Sequence, residues 1–252
     1  MPIAIKDERA IKQIAIAGNI IATVFAEIDR MDLNGMQTIE LNNRIHAVIE
    51  EHNAIPTFLD YRGFPKSACI SLNNEVVHGI PGKRTIKTGD LVKIDVGVTY
   101  QGYIADAAKT FPVGVVSDSA VKLMSVTKEA LKQGIAQAQK GRTISDISRA
   151  IQTVVEHHGF SVVRELTGHG VGTNLHEEPM IPNFVSTGDN AEIKPGMVFA
   201  IEPMVNSGAY DVITAADGWT ILTRDDSLSC HFEDTVAVLE HGNINLTRVA
   251  ES

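Results

Sequence analysis

The sequence of 252 residues predicts an α+β fold in a single domain. Two observations predict this fold. Segments with helical periodicity alternate in blocks with short strand-like runs, and no Pro/Ser-rich linker or low-complexity segment separates them. Hydrophobic residues make up 44% of the chain and charged residues 21%, which is typical of a globular protein with a sizeable core. We therefore expect one domain over residues 1–252, beginning with a short helix at about 7–30.

The first block consists of two amphipathic helices and a set of strands. Apolar residues recur at helical spacing over residues 11–25 and again over 41–49, after Thr38 as a candidate N-cap. From residue 66 the pattern changes to the strand-like runs ACISL, LVKIDVGVTY and GYIADAAKTF. Because Gln101-Gly102 is a turn signal between the last two runs, we expect them to form a hairpin.

The second block repeats the order of helices and then strands. Helical periodicity returns over residues 117–139 and 143–158, and Thr143 and Asp146 form a capping-box pattern at the start of the second segment. Strand-like runs follow as FSVV, MVFAIEP, GAYDVITA, GWTILT and CHFEDTVAVLE. The repeated order suggests an internal duplication, but the similarity between the halves is too weak to decide the question.

Charge and cysteine content narrow the class of partner and the compartment. A net charge of −9 and a pI near 5.4 argue against sequence recognition of nucleic acid, since phosphate binding needs clustered Lys and Arg. The small basic group Lys83, Arg84 and Lys87 is typical of a solvated loop. Two cysteines form no disulfide framework, and the sequence contains neither a signal-peptide apolar region nor eighteen uninterrupted apolar residues. We expect a cytoplasmic protein that does not enter a membrane.

Four acidic residues lie inside hydrophobic strand-like runs: Asp95 in VKIDVGV, Asp106 in YIADAAK, Glu202 in FAIEPM and Glu233 in CHFEDTVAV. An ionised carboxylate is rarely buried unless it is paired or bound to metal. The hairpin turn is expected to place Asp95 and Asp106 roughly opposite one another, where like charges repel. For any one of these acids alone, an ion pair or an edge position remains the alternative.

The counter-charge for four carboxylates is predicted to be metal. The basic residues at matching strand positions are Lys93 and Lys109, which we expect at strand ends in solvent. Two divalent cations would neutralise the cluster, and hydrolytic sites hold such a pair about 3.5–4 Å apart. Oxygen ligands with one imidazole suit Mn or Fe, and Co or Zn can substitute. The isolated Cys69 and Cys230 exclude a structural zinc site.

The segment TGHGVGTNLHEEP, residues 167–179, carries His169 and His176 among three glycines. It is not an H-E-x-x-H zinc motif, and its glycine spacing is not that of a dinucleotide fingerprint. The glycines at 168, 170 and 172 are expected to let the backbone approach a ligand and to aim one histidine inward. A third histidine, His78, precedes a turn in NNEVVHGIPG. A surface or core role remains the alternative for each histidine taken alone.

Five segments carry a resemblance to a known family. FPKSACISLNNEVVHGIPG, GDLVKIDVGVTYQGYIADAAKTF, TGHGVGTNLHEEP, PGMVFAIEPMVN and GWTILTRDDSLSCHFEDTVAV occur in the order found in the type I methionine aminopeptidases, and the chain resembles that family from residue 7 to about 240. The resemblance implies a pita-bread fold: a pseudo-two-fold antiparallel sheet covered by helices, with a dinuclear metal site at its centre. It also implies a hydrolase that removes N-terminal methionine from new polypeptides with small second residues, through a metal-activated water.

The resemblance assigns roles to the residues singled out above. The implied metal ligands are Asp95, Asp106, His169, Glu202 and Glu233. Among them Asp106 and Glu233 would bridge two ions, Asp95 would chelate one, and Glu202 would also be the general base. His78 would hydrogen-bond the scissile amide, and His176 would stabilise the developing oxyanion.

A substrate pocket, a further cation and a set of partners are also implied. The methionine pocket would be lined by Tyr61, Phe64, Cys69 and Trp219, with Phe58 and Leu175 at its edge and with His78 and His176 contacting the substrate. A monovalent cation such as Na⁺ would bind main-chain carbonyls at Asn73, Glu75 and Ser229. The implied partners are nascent polypeptide N-termini that begin with Met. The resemblance suggests a monomer and leaves ribosome binding open.

Two positions depart from the family pattern, and other interpretations stay open. Asp234 stands where many relatives have histidine, and Leu175 stands where an aromatic residue is common. Asp234 would add negative charge near a metal and alter metal affinity or preference. Leu175 would reshape the methionine pocket and relax substrate selectivity. The alternatives are a related peptidase that cleaves before proline, which usually carries an additional N-terminal domain, a non-enzymatic protein-binding member, which typically lacks metal ligands, and a purely structural α/β protein.

Overall fold

Residues 2–188 and 190–248 are described by a computed structural model, in which helices and strands alternate in the predicted blocks. The first block contains α1 (Glu8–Ile28), α2 (Thr38–Glu51), β1 (Ile55–Pro56), a 3-10 turn (Tyr61–Gly63), β2 (Cys69–Leu72), β3 (Glu75–Val77), β4 (Leu91–Tyr100) and β5 (Tyr103–Pro112). The second block contains α3 (Asp118–Gln137), α4 (Ile144–His157), β6 (Ser161–Val162), β7 (Thr167–Gly170), β8 (Glu177–Pro182), β9 (Val198–Ile201), β10 (Met204–Asn206), β11 (Val212–Thr214), β12 (Ile221–Thr223), β13 (Ser229–His231), β14 (Asp234–Val238) and β15 (Asn243–Asn245). The N-terminal helix expected at about 7–30 is confirmed as α1.

Side-chain caps fix where the helices begin. The Asp7 carboxylate accepts the Ala10 N–H at the start of α1, and Thr143 and Asp146 form the predicted capping box at the start of α4. The predicted Thr38 cap of α2 is wrong by one residue. Gln37 is the N-cap there, in a capping box with Glu40, while the Thr38 hydroxyl donates to the carbonyl of Gly82.

The predicted hairpin of β4 and β5 is the centre of the first sheet, in which the strand order is β1-β4-β2 with β5 on the other side of β4. Its turn lies at Gln101-Gly102, with Tyr100 paired to Tyr103. The register pairs Asp95 with Ala108 and Gly97 with Asp106. The two aspartates, which were expected roughly opposite one another, therefore share one face of the hairpin as diagonal neighbours, two residues out of register.

The second large sheet has the order β15-β14-β9-β7-β8. The described residues also form two three-stranded sheets, β13-β10-β6 and β11-β12-β3. The strand pairs in the described part of the chain are antiparallel. A bridge between Ala108 and Glu233 connects the hairpin to the second sheet. The Thr235 hydroxyl reinforces this contact, because it accepts the N–H of Asp106 and donates to the carbonyl of the same residue.

Helices cover one face of these sheets and leave the other face to the acidic residues. Along β4, Val92, Ile94, Val96 and Val98 belong to the core that includes α1 and α2. Because side chains alternate across a strand, Asp95 points to the opposite face. In the second half, α3 packs on β9, β10 and β13 and α4 packs on β6 and β8, and their apolar residues form a separate cluster. The helices thus bury the apolar faces, and the carboxylates meet between the sheets.

Helix α1 is long and apolar enough to cross a membrane by length and composition, with a hydropathy of 1.4 in its best window. Half of that window is buried inside the fold, where Ile14, Ile21 and Val24 belong to the core. Such burial is typical of a core helix in a globular protein, which can be equally long and apolar.

Candidate metal centre and active site

The four predicted carboxylates converge from two sheets, but not all from strands. Asp95 lies in β4 and Asp106 in β5, as expected. Glu202 lies between β9 and β10, and Glu233 lies between β13 and β14, so the expectation that four strands each deliver one carboxylate is wrong for these two. Glu202 falls in the short break between two strands, whereas Glu233 keeps a single bridge to Ala108 of the hairpin.

His169 brings an imidazole into the carboxylate cluster from β7. Its Nδ1 lies 3.0 Å from the carbonyl oxygen of Gly170, which can only accept, so Nδ1 carries the proton. The lone pair of Nε2 then faces the carboxylates, 3.5 Å from Glu202 Oε1 and 3.9 Å from Asp106 Oδ2. One ligand atom each from Asp106, His169 and Glu233 lies within 4.8 Å of the others. An imidazole fixed in this tautomer by a carbonyl is typical of a metal ligand.

The electrostatics of the cluster favour bound cations. Burial, followed by the nearby charge of Asp106, raises the pKa of Asp95 and of Glu202 and Glu233 well above their ordinary values. Burial also raises the pKa of Asp106 to about 7 and lowers that of His169 to about 4. Among the described residues, Asp95 Oδ1, Asp106 Oδ1 and Glu233 Oε1 are buried without a hydrogen-bond donor. These carboxylate oxygens, together with Nε2 of His169, are suitable ligands for divalent cations.

His231 is a residue of this centre that sequence reasoning missed. It is 1% exposed, and its Nε2 lies 3.6 Å from Glu202 Oε2 and 3.9 Å from Glu233 Oε2. Neither ring nitrogen has a hydrogen-bond partner within the described residues, and burial lowers its pKa to about 3. With Glu202 and Glu233 it forms a second group whose ligand atoms lie within 4.8 Å. Its position two residues before Glu233, on the same side of an extended chain, could have revealed it.

One cavity of about 170 Å³ brings the predicted site residues together. It is lined by Phe58, Tyr61, Phe64, Cys69, His78, Asp95, Asp106, His169, Leu175, His176, Glu202, Trp219 and Glu233. These are all the residues predicted as divalent-metal ligands, catalytic groups or pocket walls. Arg62, which the sequence did not single out, also lines the cavity.

Aromatic contacts shape the mouth of this cavity. The Tyr61 hydroxyl lies 2.8 Å from His176 Nδ1, and the His169 and His176 rings are 4.3 Å apart between centroids. On the other side, Trp219 meets Phe64 edge to face at 5.2 Å and His78 at 6.5 Å. Desolvation lowers the pKa of His78 and of His176, so both imidazoles are neutral at neutral pH. The cavity thus has polar metal-facing groups at one end and apolar walls at the other.

Lys93 was expected in solvent, but it is buried. It is 1% exposed, and its Nζ donates to the main-chain carbonyls of Asn73, at 2.9 Å, and Ser229, at 3.0 Å. Burial lowers its pKa to about 8, which leaves the ammonium mostly charged at neutral pH. These carbonyls are two of the three expected to bind a monovalent cation. The carboxylate of the third residue, Glu75, accepts the Leu72 N–H. Lys109 was also expected in solvent. Its side chain does reach the surface, where Nζ forms an ion pair with Asp29.

The loop that carries His176 is held by a salt bridge from the N-terminal segment. Glu177 accepts the N–H groups of Thr173 and Asn174, and it pairs with Lys6 Nζ at 2.6 Å, with both side chains less than a tenth exposed. The glycines of this loop make room for neighbouring chain rather than for a ligand. A Cβ on Gly170 would lie 2.3 Å from the carbonyl oxygen of Glu178.

Comparison with known proteins identifies the family. The chain matches the model of metallopeptidase family M24 over residues 12–240. The chain belongs to metallopeptidase family M24. Among M24 relatives it is 48% identical to "Methionine aminopeptidase 1" of Bacillus subtilis, over 92% of this chain and 94% of that one. It is 44% identical to the "Methionine aminopeptidase" of Clostridium perfringens, over 98% of this chain and 99% of the relative.

Solved M24 structures agree with the pita-bread architecture. The fold superposes on a methionine aminopeptidase from Rickettsia prowazekii with a TM-score of 0.94 and 41% identity, over 97% of this chain and 99% of that one. A methionine aminopeptidase from Thermotoga maritima gives a TM-score of 0.95 at 38% identity, over 98% and 100%. A prolidase from Pyrococcus furiosus shares the fold at 24% identity, with a TM-score of 0.78 over 98% of this chain and 66% of the prolidase.

Proposed function

We propose that this chain is a metal-dependent aminopeptidase that removes the N-terminal methionine from polypeptides with small second residues. The observation that carries the proposal is the single cavity in which a carboxylate–imidazole cluster adjoins an apolar end walled by Phe64 and Trp219. Relatives that share over 40% of the sequence and nearly the whole length bear the name methionine aminopeptidase. The cleft provides both the means to hydrolyse a peptide bond and a small closed space for one side chain.

Two divalent ions are the proposed cofactors, with Mn, Fe or Co as candidates and Zn able to substitute. The ligands would be Asp95, Asp106, His169, Glu202 and Glu233, which supply the unpartnered oxygens and the oriented Nε2 described above. When bound, such ions act as Lewis acids on the scissile carbonyl and lower the pKa of water. His231 also faces this centre, and its Nε2 lies 3.6 Å from the Glu202 carboxylate.

The remaining steps fall to side chains of the cavity. Glu202 takes the proton of the attacking water, which is the role that the family resemblance gives it. Its carboxylate faces the cluster, 3.5 Å from His169 Nε2 and 3.6 Å from His231 Nε2. If His176 Nδ1 accepts the Tyr61 O–H, its Nε2 carries the proton and donates to the oxyanion. His78, neutral and half-buried beside Trp219, donates to the amide of the substrate.

The substrate class sets the proposed partners and setting of the enzyme. The substrates are nascent chains that begin with Met, and the enzyme acts as a single domain over residues 1–252 and as a cytoplasmic monomer. The two cysteines support a reducing compartment, since Cys69 and Cys230 are both free and buried. Association with the ribosome would bring the enzyme to its substrate, although the net charge of −9 gives no basic surface for RNA.

A peptide assay tests this function. Chelator-treated protein is supplied with Mn(II), Fe(II) or Co(II) and incubated with Met-Ala-Ser, Met-Lys-Ser, Ala-Pro and N-acetyl-Met-Ala-Ser. Free methionine from Met-Ala-Ser alone, and only with metal, is the expected result. Cleavage of Ala-Pro would indicate a proline-directed peptidase instead. Metal binding without release of any amino acid would indicate a binding protein.

A further inference from the structure

The buried ammonium of Lys93, two residues before Asp95 in β4, donates to two main-chain carbonyls. Its Nζ is within 3.0 Å of the oxygens of Asn73 and Ser229, and 1% of the residue is exposed. We propose that Lys93 is a built-in substitute for a monovalent cation, so that the metal centre is held together without Na⁺ or K⁺. The proposal concerns how the proposed active site is positioned and assigns Lys93 no part in the chemistry.

The partners of Lys93 are those that a hard cation takes. Main-chain carbonyl oxygens are ordinary ligands of such ions, and here two of them, from segments far apart in the sequence, converge on one nitrogen. A buried charge is costly unless polar groups replace its water, and these carbonyl dipoles do so. A free cation at the same carbonyls would have to lie beside the ammonium, and like charges repel. The residues present therefore do not fit an exogenous monovalent ion.

The ammonium connects three segments that each lead to the centre. In β4, Lys93 is two residues before Asp95 and on the same face. Asn73 lies in the turn between β2 and β3, and β3 leads directly to His78. Ser229 begins β13, which leads to His231 and then to Glu233. The N–H of Ser229 also donates to the Asn73 carbonyl, so the two oxygen-bearing segments are in contact. The Lys93 ammonium at this junction therefore helps to position Asp95 in β4 and the segment that leads from Ser229 to Glu233.

The wild-type protein gives the first test. Turnover of the metal-loaded enzyme and its melting temperature are measured in choline chloride, which is too large for a carbonyl site. NaCl or KCl then replaces the choline at constant ionic strength. Neither quantity should change, because the cation is already part of the chain. A saturable rise with Na⁺ or K⁺ in the wild type would overturn the proposal.

The variant Lys93→Ser gives the second test, because it removes the ammonium and leaves the carbonyls free. In choline it should melt several degrees lower and turn over at least severalfold more slowly, and K⁺ or Na⁺ should restore both in a saturable way. Lys109→Ser is the matched control, since it removes a strand lysine that pairs with Asp29 at the surface. The control should show no specific response to K⁺ or Na⁺. A folded Lys93→Ser protein that no cation rescues would contradict the proposal.

Crystals grown with Rb⁺ provide a readout that needs neither turnover nor the variant. No anomalous peak should lie at the carbonyls of Asn73 and Ser229 in the wild type, whereas Lys93→Ser crystals should show one. A peak in the wild type would overturn the proposal that Lys93 replaces the cation, even if the variant does not fold. Because melting and anomalous scattering do not depend on peptide cleavage, failure of this inference can be told apart from failure of the proposed function.

Discussion

His169 shows how one main-chain oxygen prepares a side chain for metal binding. The Gly170 carbonyl accepts the proton on Nδ1, and the other ring nitrogen is left with its lone pair towards Glu202 and Asp106. Because burial lowers the pKa of this imidazole to about 4, it does not compete for a proton at neutral pH. The tautomer and the protonation state are therefore set before any ion arrives.

The carboxylate of Asp234, a position that the resemblance suggested was unusual, is paired within the described residues. Its carboxylate accepts from the Thr247 hydroxyl at 3.0 Å and pairs with Arg248 at 2.8 Å. Neighbouring residues along a strand point to opposite faces, so Asp234 is directed away from the side that Glu233 occupies. The raised pKa of Glu233 owes less to Asp234 than to burial and to the charges of Asp106, Glu202 and Asp95. We infer that this substitution alters the packing of the chain end more than the metal ligands.

Glu202→Gln is the sharpest test at the scale of a residue. The amide has the shape of the carboxylate and keeps one coordinating oxygen, but it cannot take a proton from water. With metal saturating, turnover of Met-Ala-Ser should fall by about 10²–10⁴, the usual contribution of a general base. Bound metal is measured by elemental analysis and should persist.

The control for this variant is Glu156→Gln on the exposed side of α4, which should be fully active. Near-normal turnover by Glu202→Gln would remove Glu202 as the base. A variant that lost both metal and activity would leave it as a ligand alone.

At the scale of elements, the helices and the β4–β5 hairpin could be predicted because their signals are local in the sequence. Apolar periodicity indicated the helices, and the turn signal at Gln101-Gly102 indicated the hairpin. The strand assignments of Glu202 and Glu233 were wrong, since apolar flanks look the same whether or not pairing is interrupted at the acid. The burial of Lys93 could not be predicted either. It depends on carbonyls of Asn73 and Ser229, whose positions are set by tertiary contacts.

The glycines of β7 allow three strands to approach closely around His169. Gly170 lies opposite Glu177 in β8 and Phe199 in β9, and an added methyl group would collide with the Glu178 carbonyl. Gly170→Ala should therefore shift β7, destabilise the protein by about 1–3 kcal/mol and weaken metal binding through the displaced imidazole. Urea unfolding and a metal titration measure the two effects.

Gly82→Ala is the matched control for this variant, because the nearest atom to its added Cβ is 3.9 Å away. It should change neither quantity. Unaltered metal affinity in a destabilised Gly170→Ala protein would show that the strand spacing serves folding alone.

At the scale of the whole molecule, the centre is a junction between the two halves. Asp95 and Asp106 belong to the first sheet, whereas His169 comes from the second, and the bridge of Ala108 to Glu233 joins them. The sequence indicated which residues would meet, through their chemistry and the family resemblance. It did not indicate which contacts join the two halves. These include the hydrogen bond from the Thr235 hydroxyl to the Asp106 carbonyl and the one from Lys93 Nζ to the Ser229 carbonyl.

Metal binding by the whole protein should release protons and strengthen with pH. Burial raises the pKa of Asp106 to about 7, so this carboxyl keeps part of its proton at neutral pH. Burial and neighbouring carboxylates also raise the pKa values of Asp95, Glu202 and Glu233 well above their ordinary range. A cation must displace these protons, and lowering the pH therefore opposes binding. His169, with its pKa near 4, contributes none.

Calorimetry with Mn(II) at pH 7, in buffers of different ionisation enthalpy, measures this release directly. More than one proton should leave per protein at saturation, and affinity should rise from pH 6 to pH 8. The metal-loaded protein should also melt above the metal-free one, because the ions bind only the folded state. Binding that releases no protons and is constant with pH would mean that the carboxylates are already ionised. The cluster would then be balanced by charges of the protein itself, and two divalent ions would no longer be required to explain its burial.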